Sequence, residues 1–266
     1  MNTLTVRFGP LSVRMPWRLI LINGVLLVLT AALVWSGLFR GSYPATPGDF
    51  LSALTGTADP VTSMILLENR LPRLATALGV GLAFGLAGEM IQTLLRNPLA
   101  SPDIIGFSAG AAVGAVVTVV IVGGTAWVVP GALIGGFIAA GLILSLSWRR
   151  GVSPGQLILI GIGVTLTLGV LTDLLLTRID TTSAAGVMKW LVGSLNARSW
   201  TDAGSLWAGL LFLGPLALWY QFMLGRIAFE QDVAISFGLR LNYGRVLTIG
   251  LAVALVGLAV AASGPL

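Results

Sequence analysis

Long runs of apolar residues recur along the chain and are separated by short polar segments. Each run has about 18 to 24 residues, enough for a helix to cross a hydrocarbon core about 30 Å thick. None alternates strictly between apolar and polar positions, as a membrane-barrel strand would. Because a backbone in lipid must satisfy its hydrogen bonds internally, the pattern predicts an all-α, polytopic transmembrane helix bundle. The predicted spans are 19–39, 71–94, 104–122, 126–147, 156–177, 205–224 and 246–263.

The first apolar run follows Arg7, Arg14 and Arg18, the arrangement of a secretory signal peptide. Residues 19–39 are long enough to span the bilayer, however, and no convincing small-residue cleavage site follows them. We therefore interpret this run as the first transmembrane helix.

The composition excludes most catalytic classes. Of the 266 residues, 56% are hydrophobic and 9% charged, whereas soluble domains carry about 25% charged residues. The sequence has neither Cys nor His, which removes disulfides, imidazole bases and the usual zinc or haem ligands. It also has no phosphate-binding loop of the Gly-x-x-x-x-Gly-Lys-Ser/Thr type. We expect no enzyme activity, no cofactor and no metal site of its own.

Basic residues lie singly or in pairs between the apolar runs, which suits membrane topology better than nucleic-acid binding. With a cytoplasmic N-terminus, nine Lys and Arg residues fall on the inner side and six on the outer side, as the positive-inside rule favours. The inner residues are Arg7, Arg14, Arg18, Arg96, Arg149, Arg150, Arg226, Arg240 and Arg245. The outer residues are Arg40, Arg70, Arg73, Arg178, Lys189 and Arg198. We therefore expect a cytoplasmic N-terminus and no nucleic-acid partner.

Several motifs occur in an order that resembles one known family. Residues 70–73 (Arg-Leu-Pro-Arg) open the second predicted span, and residues 96–106 (Arg-Asn-Pro-Leu-Ala-Ser-Pro-Asp-Ile-Ile-Gly) follow it. Further motifs are residues 161–163 (Gly-Ile-Gly), 190–195 (Trp-Leu-Val-Gly-Ser-Leu) and 263–266 (Ser-Gly-Pro-Leu). Together they resemble the FecCD family, the permease subunits of ABC importers for iron-siderophores, haem and vitamin B12. In detail they are most similar to ferric-enterobactin-type permeases.

The resemblance implies a type II ABC importer permease fold in the cell inner (plasma) membrane. Family members have ten spans, so the last three would be missing and the sequence is apparently truncated at the C-terminus. The implied partners are ABC ATPase subunits, a periplasmic or lipoprotein substrate-binding protein, a second permease subunit (identical or a paralogue) and the lipid bilayer. The implied function is ATP-driven import of an iron-siderophore by alternating access, with ATP hydrolysed on a separate chain.

Arg70 and Arg73 lie one turn apart at the predicted outer mouth, on either side of a proline that suits a helix start. In the resembling family, arginines at these positions face acidic residues of the binding protein. Exposed guanidinium groups steer and dock carboxylates, which makes this role physically reasonable. The alternative is that both arginines extend to lipid headgroups and mark a helix end.

The segment between the sixth and seventh predicted spans is the candidate for coupling to the ATPase, since the family has a short cytoplasmic helix there. Acidic residues near its start would complement the helix dipole, and apolar residues would contact the ATPase. An interfacial helix contacting lipid is the alternative. The candidate residues are Phe229, Glu230, Asp232, Val233, Ile235, Phe237 and Gly238.

Residues 96–106 join two spans on the predicted inner side. Pro98 and Pro102 prevent a continuous helix, and Asn97 favours a turn. The sequence predicts a rigid structural turn that keeps the inner helix ends in register.

Polar residues inside predicted spans are candidates for lining a pathway, because an ionisable group at membrane depth usually faces protein or water. They are Glu89, Gln92 and Asp173. A competing hypothesis is an ion-coupled secondary transporter, in which Glu89 or Asp173 would carry a proton.

Overall fold

The computed structural model describes residues 3–8, 11–122, 127–148, 153–227 and 241–265. Most of these residues are helical, which confirms the predicted polytopic helix bundle. Within the described residues, six helices are long and apolar enough to cross a membrane, and a further apolar helix, Phe107–Val122, is shorter.

A two-stranded hairpin that was not predicted from the sequence precedes the first span. Strand β1 (Thr3–Phe8) pairs antiparallel with β2 (Leu11–Pro16), with Val6 opposite Val13. The signal was present, because Thr3–Phe8 alternates polar and apolar residues in the two-residue period of a strand.

The described residues belong to two compact units, and Met1–Leu74 is the first. After the hairpin it contains α1 (Trp17–Phe39), α2 (Pro47–Leu54), α3 (Pro60–Ser63), a π-helical stretch (Met64–Arg70) and the start of α4 (Leu71–Leu95).

Prolines and caps start the short helices of this unit. Pro47 begins α2 behind a capping box, in which the Asp49 amide donates to the Thr46 hydroxyl and the Thr46 amide donates to the Asp49 carboxylate. Hydrogen bonds from the backbone and then the side chain of Thr46 hold the pKa of the Asp49 carboxyl below its ordinary value. Pro60 begins α3 in the same way, and the Asp59 carboxylate accepts from the amide of Val61.

Helix is continuous from Pro60 to Leu95 through the π-helical stretch. The expectation that Pro72 starts a helix is therefore wrong, since it lies inside one. Proline cannot donate its own hydrogen bond within a helix. A π-helical turn just before it is one of the irregularities by which helices accommodate such an interruption.

The second unit, Ala75–Leu266, contains the rest of α4 and the remaining helices. These are a 3-10 turn (Pro102–Ile105), α5 (Phe107–Val122), α6 (Val128–Leu146), α7 (Pro154–Leu176), α8 (Thr181–Leu191), α9 (Trp200–Ile227) and α10 (Leu241–Ser263).

Helices α5 and α6 touch through glycines on their facing sides. A Cβ on Gly114 would lie 2.2 Å from the carbonyl oxygen of Gly131, and a Cβ on Gly135 would lie 2.2 Å from that of Gly110. Such contacts bring two backbones together, which is how membrane helices gain packing energy without a hydrophobic driving force between them.

The side chain of Phe107 fills the core beside this pair. It is fully buried, and a Cβ on Gly136 of α6 or Gly257 of α10 would lie 2.6 or 3.1 Å from its ring. Its ring also makes an edge-to-face contact with Phe137, with centroids 5.5 Å apart. One side chain therefore contacts both α6 and α10.

Candidate functional site

The guanidinium group of Arg70 is bound to the end of α1 and to the loop after it. Its Nη1 donates a 2.8 Å hydrogen bond to the carbonyl of Leu38, and Nη2 donates to the carbonyl of Tyr43. Leu38 lies in the last turn of α1, where carbonyls lack helical partners and carry partial negative charge. Arg70 therefore acts as a cap for α1 and an anchor for the loop.

Two further contacts fix this loop. The Tyr43 hydroxyl shares a 2.8 Å hydrogen bond with the buried hydroxyl of Thr62 in α3. A Cβ on Gly41 would lie 2.6 Å from Nη2 of Arg70, so glycine leaves room for the guanidinium group.

Arg70, Arg73 and Arg40 line one cavity of about 540 Å³. Arg40 and Arg73 are exposed, and within the described residues neither side chain has a hydrogen bond or an ion pair. The two predicted docking arginines, Arg70 and Arg73, therefore line the same cavity. Arg70 is hydrogen-bonded to backbone carbonyls, whereas Arg73 is exposed. The sequence placed Arg40 among the outer basic residues but did not indicate that it lines this cavity with Arg70.

The segment after α4 forms a tight turn around Asn97. The Asn97 side chain accepts a 3.0 Å hydrogen bond from the amide of Leu99, and its carbonyl accepts from the amide of Ala100. Gln92 donates from Nε2 to the Ala100 carbonyl at 3.3 Å. Gln92 thus binds this turn to the last part of α4, and Pro98, which lies within the turn, is exposed.

The second half of the segment is the 3-10 turn that Pro102 begins. The Ser101 hydroxyl accepts from the amide of Asp103, and the Asp103 carboxylate accepts a 2.6 Å hydrogen bond from Ser108 in α5. Gly106 then takes a φ of 70°, a conformation that glycine adopts without strain.

This turn is packed tightly against α7 and α6. A Cβ on Gly161 would lie 2.0 Å from the carbonyl oxygen of Ile104, and one on Gly106 would lie 2.5 Å from Ile143. Two motifs that are far apart in the sequence, residues 96–106 and 161–163, therefore meet in the structure.

Glu89 belongs to a polar cluster between α4 and α9. Gln221 of α9 donates from Nε2 to Glu89 Oε1 at 3.1 Å and to the Thr93 hydroxyl at 2.9 Å. The Oε1 atom of Gln221 is buried and lacks a hydrogen-bond partner within the described residues. Gln221 was not among the residues predicted from the sequence, although an amide at the end of a long apolar run was the available signal.

Asp173 lies on α7, separate from the Glu89 cluster, and its side chain is exposed. The neighbouring threonines bond to their own helix: Thr172 donates to the carbonyl of Leu168 and Thr167 to that of Gly163. These threonines therefore form no polar chain with Asp173.

The coupling candidates fall outside the described residues. They are Phe229, Glu230, Asp232, Val233, Ile235, Phe237 and Gly238. The flanking helix ends are described, and the Tyr220 hydroxyl of α9 donates a 2.9 Å hydrogen bond to the Gly244 carbonyl of α10.

A second junction joins the segment after α8 to the end of α10. The amide of Ser194 donates a 2.7 Å hydrogen bond to the Ser263 carbonyl, and Arg198 donates two hydrogen bonds to the Ser194 carbonyl. A Cβ on Gly264 (φ 83°) would lie 2.6 Å from the Trp190 carbonyl oxygen. Here too, two sequence motifs meet.

In the described part of the chain, no group of three or more acidic residues is placed to hold a metal ion. The described residues thus form an arginine-lined cavity, a junction of the 96–106 turn with α6 and α7, a junction of the segment after α8 with the end of α10, and a polar contact between α4 and α9.

Comparisons with known proteins agree on one family. A sequence model described as "FecCD transport family" matches residues 27–266. The ferric enterobactin transport system permease protein FepG of Escherichia coli (strain K12) is 32% identical over 94% of this chain and 76% of its own length. The achromobactin transport system permease protein CbrC of Dickeya dadantii (strain 3937) is 34% identical over 90% of this chain and 69% of its own.

A third relative is the iron-uptake system permease protein FeuC of Bacillus subtilis (strain 168), 30% identical over 90% of this chain and 74% of its own. Among solved structures, an inward-facing transporter described as a metal-chelate type ABC transporter superposes with a TM-score of 0.78 at 28% identity. The match covers 93% of this chain and 77% of that one.

Proposed function

The chain belongs to the FecCD transport family, and from this premise we infer that it is the membrane-spanning permease subunit of an ATP-driven ABC importer. It is a transport subunit and not an enzyme, and ATP is hydrolysed by a separate ABC component. The family match over 27–266 is the observation that carries this conclusion. The ion-coupled alternative is not supported, because the relatives are permease subunits of ABC importers.

We propose that the cargo is a ferric-siderophore complex. Two of the relatives are permeases of ferric enterobactin and achromobactin transport systems, and a third serves iron uptake. The subunit would supply a path and alternating access without covalent chemistry.

The proposed assembly has two permease subunits, identical or paralogous, in the cell inner membrane. Two ATPase subunits would bind on the cytoplasmic side, where the N-terminus would also lie. A substrate-binding protein would dock on the outer side. Contacts within the second unit support the binding of the ATPase and of the substrate-binding protein at opposite ends of α10. Arg245, near the start of α10, interacts electrostatically with Arg96. At the other end of the helix, about 27 Å along its axis, the Ser194 amide donates to the Ser263 carbonyl.

The proposed roles follow this orientation. Binding-protein docking belongs to the cavity of Arg70 and Arg73, and ATPase coupling to residues 229–238. Glu89 and Asp173 remain proposed pathway-lining residues. The Gln92 bond to the turn at Asn97 favours a structural role for Gln92.

An affinity pull-down tests the importer assignment and the coupling segment. The complete, detergent-solubilised subunit is purified from its own host as wild type and as a triple variant, Phe229→Ala, Asp232→Ala and Phe237→Ala. We expect an ABC ATPase to co-purify with the wild type and to be lost from the inserted variant.

The matched control is Leu99→Ala, because Leu99 is 90% exposed on the other predicted inner segment. It should retain the ATPase. Absence of any ATPase from the wild type, under conditions that preserve a known importer complex, would contradict the importer assignment. Retention by the triple variant would contradict only the coupling role of 229–238.

Uptake in proteoliposomes tests the cargo. The purified permease, ATPase and binding protein should accumulate radiolabelled ferric siderophore only with ATP inside and binding protein outside. Uptake of haem or vitamin B12 in place of ferric siderophore would contradict the cargo alone.

A further inference from the structure

The hairpin before α1 has two chemically different faces. In an antiparallel pair, residues directly opposite each other lie on the same face of the sheet, and successive residues alternate between the faces. The register of β1 with β2 therefore separates apolar from basic residues. One face, the apolar face, consists of Leu4, Val6, Phe8, Leu11, Val13 and Met15. The other, the arginine face, consists of Thr3, Thr5, Arg7, Ser12, Arg14 and Pro16.

We propose that this hairpin binds the membrane surface at which α1 begins. Its apolar face contacts the boundary of the acyl chains, and its arginine face, together with Arg18, binds the phosphates of anionic lipid headgroups. The ligand class is thus an anionic phospholipid in the bilayer. The proposal goes beyond the proposed function, because it concerns neither the cargo nor the protein partners of an importer.

The connection to α1 keeps the hairpin at the membrane. Strand β2 ends at Pro16 and α1 begins at Trp17, so no linker separates the sheet from the span. A six-residue strand is about 20 Å long, which limits how far the hairpin can extend from the start of α1. Trp17 is 54% exposed, and exposed tryptophans at the ends of spans lie at the level of the headgroups. The bilayer surface is therefore within reach of the whole hairpin.

The backbone of the hairpin suits the interface better than either water or the hydrocarbon core. A lone two-stranded hairpin is only marginally stable in water, so covering its apolar face would stabilise it. In the described part of the chain the sheet has two strands, which makes both of them edge strands with unpaired backbone groups. Such groups cannot be satisfied in hydrocarbon. At the interface, water and headgroups satisfy the edges while the acyl boundary covers the apolar face.

The charge of this region matches an anionic surface. Residues 1–48 contain no Asp or Glu, and three of their arginines, Arg7, Arg14 and Arg18, lie in the hairpin and the first turn of α1. Arg18 is exposed. Each basic residue near an anionic membrane strengthens binding about fivefold. Interfacial binding grows with both buried apolar area and attraction to anionic lipid, and the two faces supply one each.

An anchor at this end would complement the contacts of α1 at its other end. Among the described residues, Leu38 is the only buried residue of α1, and Arg70 donates to its carbonyl. The first turns of α1 are exposed at Trp17, Arg18 and Leu19. Binding of the hairpin to headgroups would hold this end at the membrane surface and so set the depth of α1 in the bilayer.

The test uses single cysteines, because the chain has none of its own. Val6→Cys carries a nitroxide label on the apolar face, and Thr5→Cys carries one on the arginine face. The purified importer complex is reconstituted in liposomes of zwitterionic lipid, with or without phosphatidylglycerol. Electron paramagnetic resonance measures how often each label collides with oxygen, which concentrates in the bilayer, and with a water-soluble nickel chelate.

The charge variant combines Arg7→Gln with Arg14→Gln in each labelled background. Arg40→Gln is the matched control, because Arg40 is an exposed arginine at the opposite end of α1.

With phosphatidylglycerol, we expect the Val6→Cys label to favour oxygen and the Thr5→Cys label to favour the nickel chelate. The double arginine variant should raise the ratio of unbound to bound hairpin by about 25-fold, or about fivefold for each arginine, and remove the preference for oxygen. The preference should also weaken in zwitterionic liposomes. The control should behave like the wild type.

The proposal is overturned if both labels collide equally with the nickel chelate in both lipids, because the hairpin then lies in water. Shielding of the Val6→Cys label from both reagents would overturn it in favour of a protein contact; exposure after removal of the ATPase would identify the ATPase as that partner. A preference for oxygen that persists in the double arginine variant would exclude the headgroup contact. An equal loss in Arg40→Gln would do the same, by indicating unspecific attraction.

Discussion

At the scale of single residues, Phe107 has the most demanding surroundings. Its ring is fully buried between glycines of α6 and α10. We predict that Phe107→Ala lowers the free energy of unfolding by about 3 kcal/mol, because the loss leaves a cavity that helix backbones cannot close without moving. Thermal unfolding of the detergent-solubilised complex measures this.

The control for this prediction is Phe212→Ala, in which the replaced side chain is 78% exposed. Its melting temperature should stay near that of the wild type. Equal melting temperatures for Phe107→Ala and Phe212→Ala would show that Phe107 does not support the packing of α6 and α10.

The hydrogen bonds of Glu89 predict which substitutions it tolerates. Glu89→Gln keeps an oxygen that can accept from Gln221, whereas Glu89→Leu leaves the Gln221 amide one acceptor short. We expect Glu89→Gln to retain complex stability and uptake, and Glu89→Leu to cost about 1–3 kcal/mol of stability. Loss of uptake in Glu89→Gln with an intact, stable complex would instead indicate that the carboxylate charge itself is needed along the pathway.

At the scale of helices, the contact of α5 with α6 depends on the absence of side chains. We predict that Gly135→Ala destabilises the protein by about 1–3 kcal/mol, because its Cβ would meet the Gly110 carbonyl and the backbones would have to separate. Gly141→Ala in the same helix is the control, since a Cβ there would meet nothing within 4 Å.

Gly141→Ala should be neutral or slightly stabilising, because alanine has the higher helix propensity. The two variants can be compared by the temperature at which each complex loses its ATPase. If both dissociate at the wild-type temperature, the glycine contact contributes little to the stability of the complex.

Hydropathy predicted the helix bundle, since a backbone in lipid has few other options. It could not identify which glycines make contacts. Gly81, Gly85 and Gly88 form a small-residue pattern within α4, yet a Cβ on any of them would meet nothing within 4 Å. Small residues four apart mark a face on which helices can approach, but which helix lies there depends on the tertiary arrangement.

For the candidate site, too, the sequence indicated residues within local motifs but not the contacts between distant elements. The motifs at 70–73 and 96–106 identified Arg73 and the turn at Asn97 from the sequence. The place of Arg40 in the cavity and the contacts of Gln221 were not predicted, because each residue acquires its neighbours from an element distant in sequence. The bonds of Arg70 to Leu38 and Tyr43 likewise depend on how α1 and its loop return to α4.

At the scale of the whole molecule, the proposed roles depend on the orientation of the chain in the membrane. The binding protein can reach the cavity lined by Arg70 and Arg73 only if the segment between α1 and α4 faces outward. The turn at Asn97 must then face the cytoplasm, because it follows the opposite end of α4. The proposed cytoplasmic N-terminus requires the same arrangement.

The absence of cysteine from the chain allows a direct measurement of this orientation. Thr57→Cys and Leu99→Cys each introduce a single thiol at an exposed position, one before and one after the helical stretch Pro60–Leu95. We predict that a membrane-impermeant maleimide labels Thr57→Cys in intact spheroplasts and labels Leu99→Cys only after lysis. Thr177→Cys, exposed just after α7, should behave like Thr57→Cys and provides an independent position in the second unit. The reverse pattern would place the arginine cavity in the cytoplasm, where a substrate-binding protein outside the membrane cannot dock, and would contradict both the orientation and the docking role.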